Sequence, residues 1–515
     1  MEKPHDSLTE VSWIVEVKGP LPDVVPTEKP REDVVAAVEP TAPVQPTAPP
    51  PKKSWADLMK PVASSSPTPK NDVNLSLPQP PSSTKTNIRT GRSSSITPQP
   101  FVVTSEAERQ HTEEEKIQRL GEIMFSKNLL GAEKKFDHRT LFLTPRGMMN
   151  RGNACYMNAV LQTLIFCPPF FHLLESLDVP SYDDDDQVAQ LPPITDAFVR
   201  LAKCFHRIPK TGARNAHLRT EDPAVDPSFV YDTLEEHGTA SHKEMLSRGS
   251  QEDAQESLNH ILLLIHEEMA KAEATIRDDH DGRTNGVDAQ WNDEWTNINK
   301  KQKKSIMRSC VDFKDTPISG VFGGKLRSIR KHHGAKEFEN VEPFFMLDLP
   351  IQDPRVKSVF QAIDRFMGTE TLHGYVDRGQ EVRAQRHYKF EELPAVLILH
   401  LKYFEYSPTG GLAKLQKNIE FEATLRLPER WFAERHFNPA KSVYRLSAVV
   451  YHYGEGTEGG HYTACMYHPA SPSSWIEAND SVVSVVGFDY VRAPQFNRVP
   501  YLLFYRLQTN NYTES

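Results

Sequence analysis

Nineteen of the 40 prolines fall in the first hundred residues. Proline lacks an N–H and fixes φ, so a segment this dense in it supports neither a ladder nor a long helix. Serine clusters such as Ser64-Ser65-Ser66 and Ser93-Ser94-Ser95, with few apolar side chains, deprive it of a core as well. Residues 1–108 therefore read as a disordered tail, and the folded body is expected in 109–515. Within the tail, Lys53-Ser54-Trp55-Ala56-Asp57-Leu58-Met59 puts Trp55, Leu58 and Met59 at i, i+3, i+4 spacing. That pattern suits a short helix folding onto an adaptor protein, and equally a stray tryptophan in a linker.

The body has the means to bury a core, since 38% of the chain is apolar and 25% charged. A net charge of −9 argues against a nucleic-acid partner, which would call for clustered Lys and Arg. Five cysteines, Cys155, Cys167, Cys204, Cys310 and Cys465, are too scattered for a disulfide framework, and none forms a C-x-x-C pair. Neither a secretory signal nor a membrane-spanning run of roughly 18 apolar residues is recognisable. A cytoplasmic protein with free thiols and no membrane partner is the expectation. Lys300-Lys301-Gln302-Lys303-Lys304 reads as a solvated surface more readily than as a nuclear address.

Helical periodicity opens the body. Ile117, Leu120, Ile123 and Met124 mark an amphipathic helix. A second helix is expected from Cys155 to about Phe166, stopped by Pro168-Pro169, and a third from Ala254 to about Ala270. The third would present Leu258, Ile261, Leu262 and Ile265, with Glu252 and Asp253 at its electropositive start. Residues 271–308 read as a polar insertion. After Ile318 come short aromatic and β-branched runs at 344–349, 395–401, 444–453, 461–467 and 501–505, parted by turns such as Thr409-Gly410-Gly411. A helical half followed by an antiparallel β half is an α+β arrangement.

The chemistry concentrates near residue 155. A glycine-containing turn delivers Cys155 to the start of an apolar helix, where free N–H groups and the helix dipole favour the thiolate. Polar Asn150, Asn153 and Asn158 flank it, where a structural cysteine would want apolar neighbours. A thiolate nucleophile needs a base, and among 20 histidines His461 stands out, because Gly459-Gly460 let its loop approach closely before a strand begins. His400 and His452 lie inside strand-like runs and read as sheet residues. Asn479 and Asp480 follow at short range and offer a third group to orient the imidazole.

Together these segments resemble the ubiquitin-specific protease family of cysteine deubiquitinases. The Cys box runs Asn150-Arg151-Gly152-Asn153-Ala154-Cys155-Tyr156-Met157-Asn158 and ends Leu161-Gln162; the His box is Gly459-Gly460-His461-Tyr462-Thr463. Gln251-Glu252-Asp253-Ala254-Gln255-Glu256 and Leu399-His400-Leu401-Lys402-Tyr403-Phe404 are similar to intermediate boxes, with Tyr403 where the family usually has Arg. The match spans 147–506. Gly323 to Ser328, Gln416 to Glu420 and Tyr444 to His452 are most similar to the ubiquitin carboxyl-terminal hydrolase 10 subfamily.

The resemblance implies a papain-like core with a helical thumb, a β palm and β fingers. It implies hydrolysis after the C-terminal glycine of ubiquitin, with ubiquitin and ubiquitylated proteins as partners and no cofactor. By resemblance Asn150 donates to the oxyanion, Asn479 holds the third triad position, and Asp480 shares or replaces it. Asp253 is implied to pair with an arginine of ubiquitin's tail, with Gly459 and Gly460 as walls of the tail channel. Gln162 and Tyr462 join the ubiquitin-contacting set, and Tyr453 to Gly460 form a blocking loop. The cysteines of the family's four-cysteine zinc site are missing, so the fingers are expected to hold by packing without metal. Two readings stand beside this one: action on a ubiquitin-like modifier, and a non-catalytic ubiquitin-binding scaffold.

Overall fold

The computed structural model describes residues 106–130, 140–178, 191–208, 222–238, 252–280, 296–298, 306–310, 314–332, 337–377, 380–406, 412–456, 459–469 and 474–508. The Trp55 island, Gln251, the Lys300–Lys304 run and the Thr409-Gly410-Gly411 turn lie outside the described residues.

Among the described residues six helices precede residue 281: α1 (Glu106–Ser126), α2 (Cys155–Ile165), α3 (Pro168–Leu177), α4 (Pro193–Lys203), α5 (Ser228–His237) and α6 (Ala254–His280). In α1, Leu120, Ile123 and Met124 are buried, as their spacing requires. Pro168 and Pro169 end α2 and also open α3, because proline fits the first turn, whose N–H groups have no intrahelical partner. Leu258, Ile261, Leu262 and Ile265 of α6 are fully buried. This helix runs ten residues past the expected end, through part of the segment read as an insertion. Ala272 and Ile276, both buried, continue its inner stripe.

The β half opens with β1 (Thr296–Ile298) and β2 (Ile306–Cys310), then, after the short helix α7 (Pro317–Phe322), β3 (Gly324–His332), β4 (Phe338–Phe344) and β5 (Met346–Pro350). Helix α8 (Val359–Met367) interrupts the strands where none was expected, with Val359, Ala362, Ile363 and Met367 turned inward. Strands β6 (Glu370–Leu372), β7 (Val376–Asp377), β8 (Gln380–Glu381), β9 (Ala384–Glu392), β10 (Val396–Lys402), β11 (Phe404–Tyr406), β12 (Leu412–Lys414) and β13 (Thr424–Arg426) follow. The last group is β14 (Val443–Tyr453), β15 (His461–Tyr467), β16 (Ser474–Asn479), β17 (Val482–Gly487), helix α9 (Phe488–Arg492) and β18 (Arg498–Leu507).

Among the described residues one sheet has the order β1-β2-β4-β3-β9-β6, a larger one runs β17-β16-β15-β14-β18-β10-β5 with β13 on β14, and β11-β12 and β7-β8 form two-stranded ribbons. All pairings are antiparallel except β2–β4 and β5–β10. This is the α+β arrangement expected from the sequence. Every residue of α2 is buried, and the helix packs across β14, β15 and β16. A helix buried all round has little freedom to shift, so its first residue, Cys155, is fixed against the start of β15.

Helices α1 and α6 meet at Gly121, where a Cβ would sit 2.5 Å from the Ala272 carbonyl oxygen and 2.6 Å from Ile276 Cγ1. A backbone oxygen cannot swing aside, so the helices must part. Gly121→Ala is therefore expected to lower the thermal midpoint by the equivalent of about 1–3 kcal/mol of overpacking. In an exposed helix the same change stabilises by up to about 1 kcal/mol. A melt followed by far-UV circular dichroism reads the sign.

Candidate active site

Cys155 sits at the first position of α2, 4% exposed. The turn before it needs Gly152, whose φ of +116° lies where side chains are disfavoured. Residue 154 is an alanine without a capping side chain. The cap comes from further back, where the Ala154 N–H donates to Asn150 Oδ1 at 3.1 Å.

His461 opens β15, and Asn479 closes the adjacent strand β16. The His461 Nε2–H donates to Asn479 Oδ1 at 2.7 Å, which leaves Nδ1 for the thiol. Burial pushes the Cys155 thiol up. The hydrogen bond with His461 pulls it down, helped by the Tyr462 backbone and the imidazolium charge, and the sum falls below the ordinary thiol value. His461 is raised to about 9, first by its bond to Cys155 and against burial, with Asn479 and the thiolate charge adding to it. The pair therefore favours thiolate and imidazolium over two neutral groups.

Asp480 stands beside Cys155, His461 and Asn479 but does not bond to the imidazole. Its Oδ2 accepts from Asn150 Nδ2 at 2.9 Å and its Oδ1 from Asn158 Nδ2 at 2.7 Å. The residue has φ of +51° in the turn between β16 and β17, and its carbonyl accepts the Met148 N–H at 2.8 Å. Asn158, 1% exposed, also accepts the Tyr231 hydroxyl. The Asn150 carboxamide is thus held at both ends, its oxygen by Ala154 and one N–H by Asp480. Its second N–H is left for another acceptor.

Asp253 caps α6, with Oδ1 accepting the N–H groups of Gln255 at 2.7 Å and Glu256 at 3.3 Å. Its Oδ2 accepts the Tyr501 hydroxyl. Gly459, with φ of +85°, and Gly460 close the turn before His461. Side chains at 460 are barred by the protein itself, since a Cβ there would lie 2.3 Å from His452 Nε2 and 2.7 Å from the Tyr453 carbonyl.

Two expected surface residues are not at the surface. Gln162 is 2% exposed inside α2, its Nε2 donating to the Arg146 carbonyl at 2.7 Å. Tyr462 is 4% exposed, its ring 4.8 Å from that of His452 and 5.8 Å from that of Tyr501. Both lie in matched boxes but act inward, as supports. Sequence reasoning also passed over Asn158 as a partner of Asp480, although its place one turn after Cys155 on the same helix was a usable signal. Tyr231 and Tyr501 carried no such signal. Among the described residues no group of three or more His, Cys, Asp or Glu side chains forms a metal-holding cluster.

A family model described as ubiquitin carboxyl-terminal hydrolase matches residues 146–505. The chain is 34% identical over 401 residues to ubiquitin carboxyl-terminal hydrolase 10 of Gallus gallus, covering 72% of this chain and 50% of that protein. Against the Rattus norvegicus protein of that name it is 35% identical over 396 residues, covering 72% and 49%. The probable ubiquitin carboxyl-terminal hydrolase 3 of Schizosaccharomyces pombe is 31% identical over 395 residues, covering 70% and 74%. The chain spans about half the length of the vertebrate relatives it matches.

The Cys155–His461 geometry makes a prediction that needs no substrate. Alkylation of Cys155 by iodoacetamide should have its inflection below that of a free thiol, at about 8.5. In His461→Ala the hydrogen bond and positive charge are gone, while burial, the largest influence on the thiol, and the Asp480 charge remain to oppose ionisation against the Tyr462 backbone bond alone. The inflection should therefore move above the free-thiol value. Rates across pH, with the modified peptide identified by mass spectrometry, decide it.

Proposed function

The chain belongs to the ubiquitin carboxyl-terminal hydrolase family, and from that membership we propose that it is a deubiquitinating cysteine protease cutting after the C-terminal glycine of ubiquitin. The observation that carries the reading is the buried thiol of Cys155 paired with a raised His461 that Asn479 holds by its far nitrogen. This is the arrangement an acyl-transfer nucleophile requires.

The Cys155 thiolate attacks the glycine carbonyl carbon, and its electron pair becomes the new S–C bond. The carbonyl oxygen takes up negative charge, and the free N–H of Asn150 donates to it. Collapse of this intermediate breaks the C–N bond, and the imidazolium of His461 gives its proton to the departing lysine amine. A thioester remains. Neutral His461 then accepts a proton from water, whose oxygen attacks the thioester carbon, releasing the glycine carboxyl and restoring the thiolate–imidazolium pair.

Asn479 and Asp480 divide the support. Asn479 fixes the tautomer and direction of the imidazole without a charge. Asp480 serves the other side of the reaction, holding Asn150 in register with Asn158. Asp253, at the start of α6, offers negative charge to a basic residue of the incoming tail, from a carboxylate already held by the α6 N–H groups and the Tyr501 hydroxyl.

The test is turnover of a fluorogenic amide of the ubiquitin C-terminus by the full chain. Cys155→Ala should abolish it. Asn150→Ala and Asp480→Ala should each lower kcat with KM little changed, the former by roughly 10²-fold, the usual cost of one oxyanion donor. Asn479→Ala should instead move the alkaline limb. In the parent, activity falls as pH rises through about 9 and His461 loses the proton it must donate. Without Asn479 that limb should shift to lower pH. Ubiquitin binding without turnover would favour a scaffold; neither binding nor turnover would sink the reading.

A further inference from the structure

Lys414, at the end of β12, is buried at 9% exposed, and among the described residues no carboxylate pairs with it. A buried cation without an anion is costly, and burial lowers its pKa to about 8. Two neutral acceptors take its protons instead. Nζ lies 2.8 Å from His452 Nδ1 and 2.6 Å from the Gly454 carbonyl oxygen. An ammonium only donates, so Nδ1 of His452 accepts and Nε2 carries the ring proton. Burial, then the charges of Lys414 and His461, keep His452 neutral, with its pKa near 3.

These two acceptors lead to opposite ends of one loop. Gly454 begins it, and Gly460, against which His452 Nε2 is packed, ends it just before His461. The His452 ring cannot turn away, because Phe404 meets it edge-on at 5.4 Å and Tyr462 at 4.8 Å. Around the start of the loop, Gln416 Nε2 donates to the Glu455 carbonyl at 3.1 Å. Asn497 holds the Glu455 carboxylate at 3.0 Å and accepts the Gly454 N–H through its carbonyl at 3.1 Å.

We propose that Lys414 is a positioning residue whose single ammonium holds Gly454 directly and Gly460 through His452. In this way it sets the position of the glycine pair, the wall along which the ubiquitin tail would lie. This rests on the ubiquitin hydrolase reading. On the other side of His461, the Tyr462 side chain hydrogen-bonds to Asp253. A shift of Gly460 would move the glycine wall, while His461 keeps its own tether to Asn479.

That separation supplies the test. In the full chain, Lys414→Met should raise KM for the fluorogenic ubiquitin amide by about tenfold, the scale of a sub-ångström misplacement in a binding channel. The rate and pH profile of Cys155 alkylation by iodoacetamide, which does not use the channel, should match the parent. Lys414→Gln, which keeps a donor for one of the two acceptors, should raise KM less and in the same direction, and it decides the matter if Lys414→Met fails to fold. An unchanged KM in the folded variants overturns the proposal. So does a fall in alkylation rate that tracks the loss of turnover, because Lys414 would then serve the whole site. A parent that turns over no ubiquitin amide overturns the activity reading instead.

Discussion

The contact between Cys155 and His461 joins the two halves of the chain, and little else in the fold makes sense without it. The thiol belongs to the first residue of a helix built by the α half, the imidazole to the first residue of a strand built by the β half. Each is a terminus, where the backbone still has freedom of direction but is anchored one residue on. Helix α2 supplies rigidity by being buried on every face, and β15 by lying between β14 and β16. A hydrogen bond between two such ends is set by the packing of whole elements. It can stay in place while charge moves across it.

Around this contact the polar groups are assigned in a strict order. Asn158 is almost wholly buried in an apolar helix, which costs several kcal/mol unless its amide is satisfied. Asp480 and Tyr231 satisfy it from opposite sides. Asp480 can do so only by taking a left-handed conformation in the β16–β17 turn, a strain of the kind concentrated at working sites. The same carboxylate then holds Asn150, and Asn150 caps the helix that carries the nucleophile. One network thereby serves fold and chemistry together. It explains why so many amide side chains stand in a short stretch of sequence.

Much of this was legible because it is local. The nucleophile turn, the glycine pair before His461 and the Asn479-Asp480 turn each sit within a few residues, where composition alone signals a helix start, a close approach or a bend. The helices α1, α2 and α6 followed from apolar spacing. Gln162 and Tyr462 were misjudged because a matching box says which residues belong to the site and not which way they face. One lies on the buried side of a helix, the other under a ring cluster. Helix α8 was missed because its four inward positions sit among residues otherwise read as strand. Lys414 was invisible for a different reason. Its two partners are about forty residues away, and they meet it only through the pairing of β11 with β12 and the register of β14 against β15.

The neutral residue at position 479 bears on how the charges balance. An aspartate there would place a negative charge directly behind the imidazolium; Asn479 places only a dipole. The anion nearest in sequence is Asp480, but its oxygens are spent on the amides of Asn150 and Asn158, whereas Cys155 bonds the imidazole directly and is the first cause of its raised pKa. The main counterion of His461 is therefore the thiolate itself. In the proposed reaction the charge of the thiolate passes to the substrate's carbonyl oxygen as soon as the S–C bond forms, and the imidazolium is left with the Asn479 carbonyl dipole behind it. It then gives up its proton more readily, at the step where the departing amine needs one. An asparagine in the third position thus couples loss of the thiolate to release of the proton, which a fixed carboxylate at the same place would oppose.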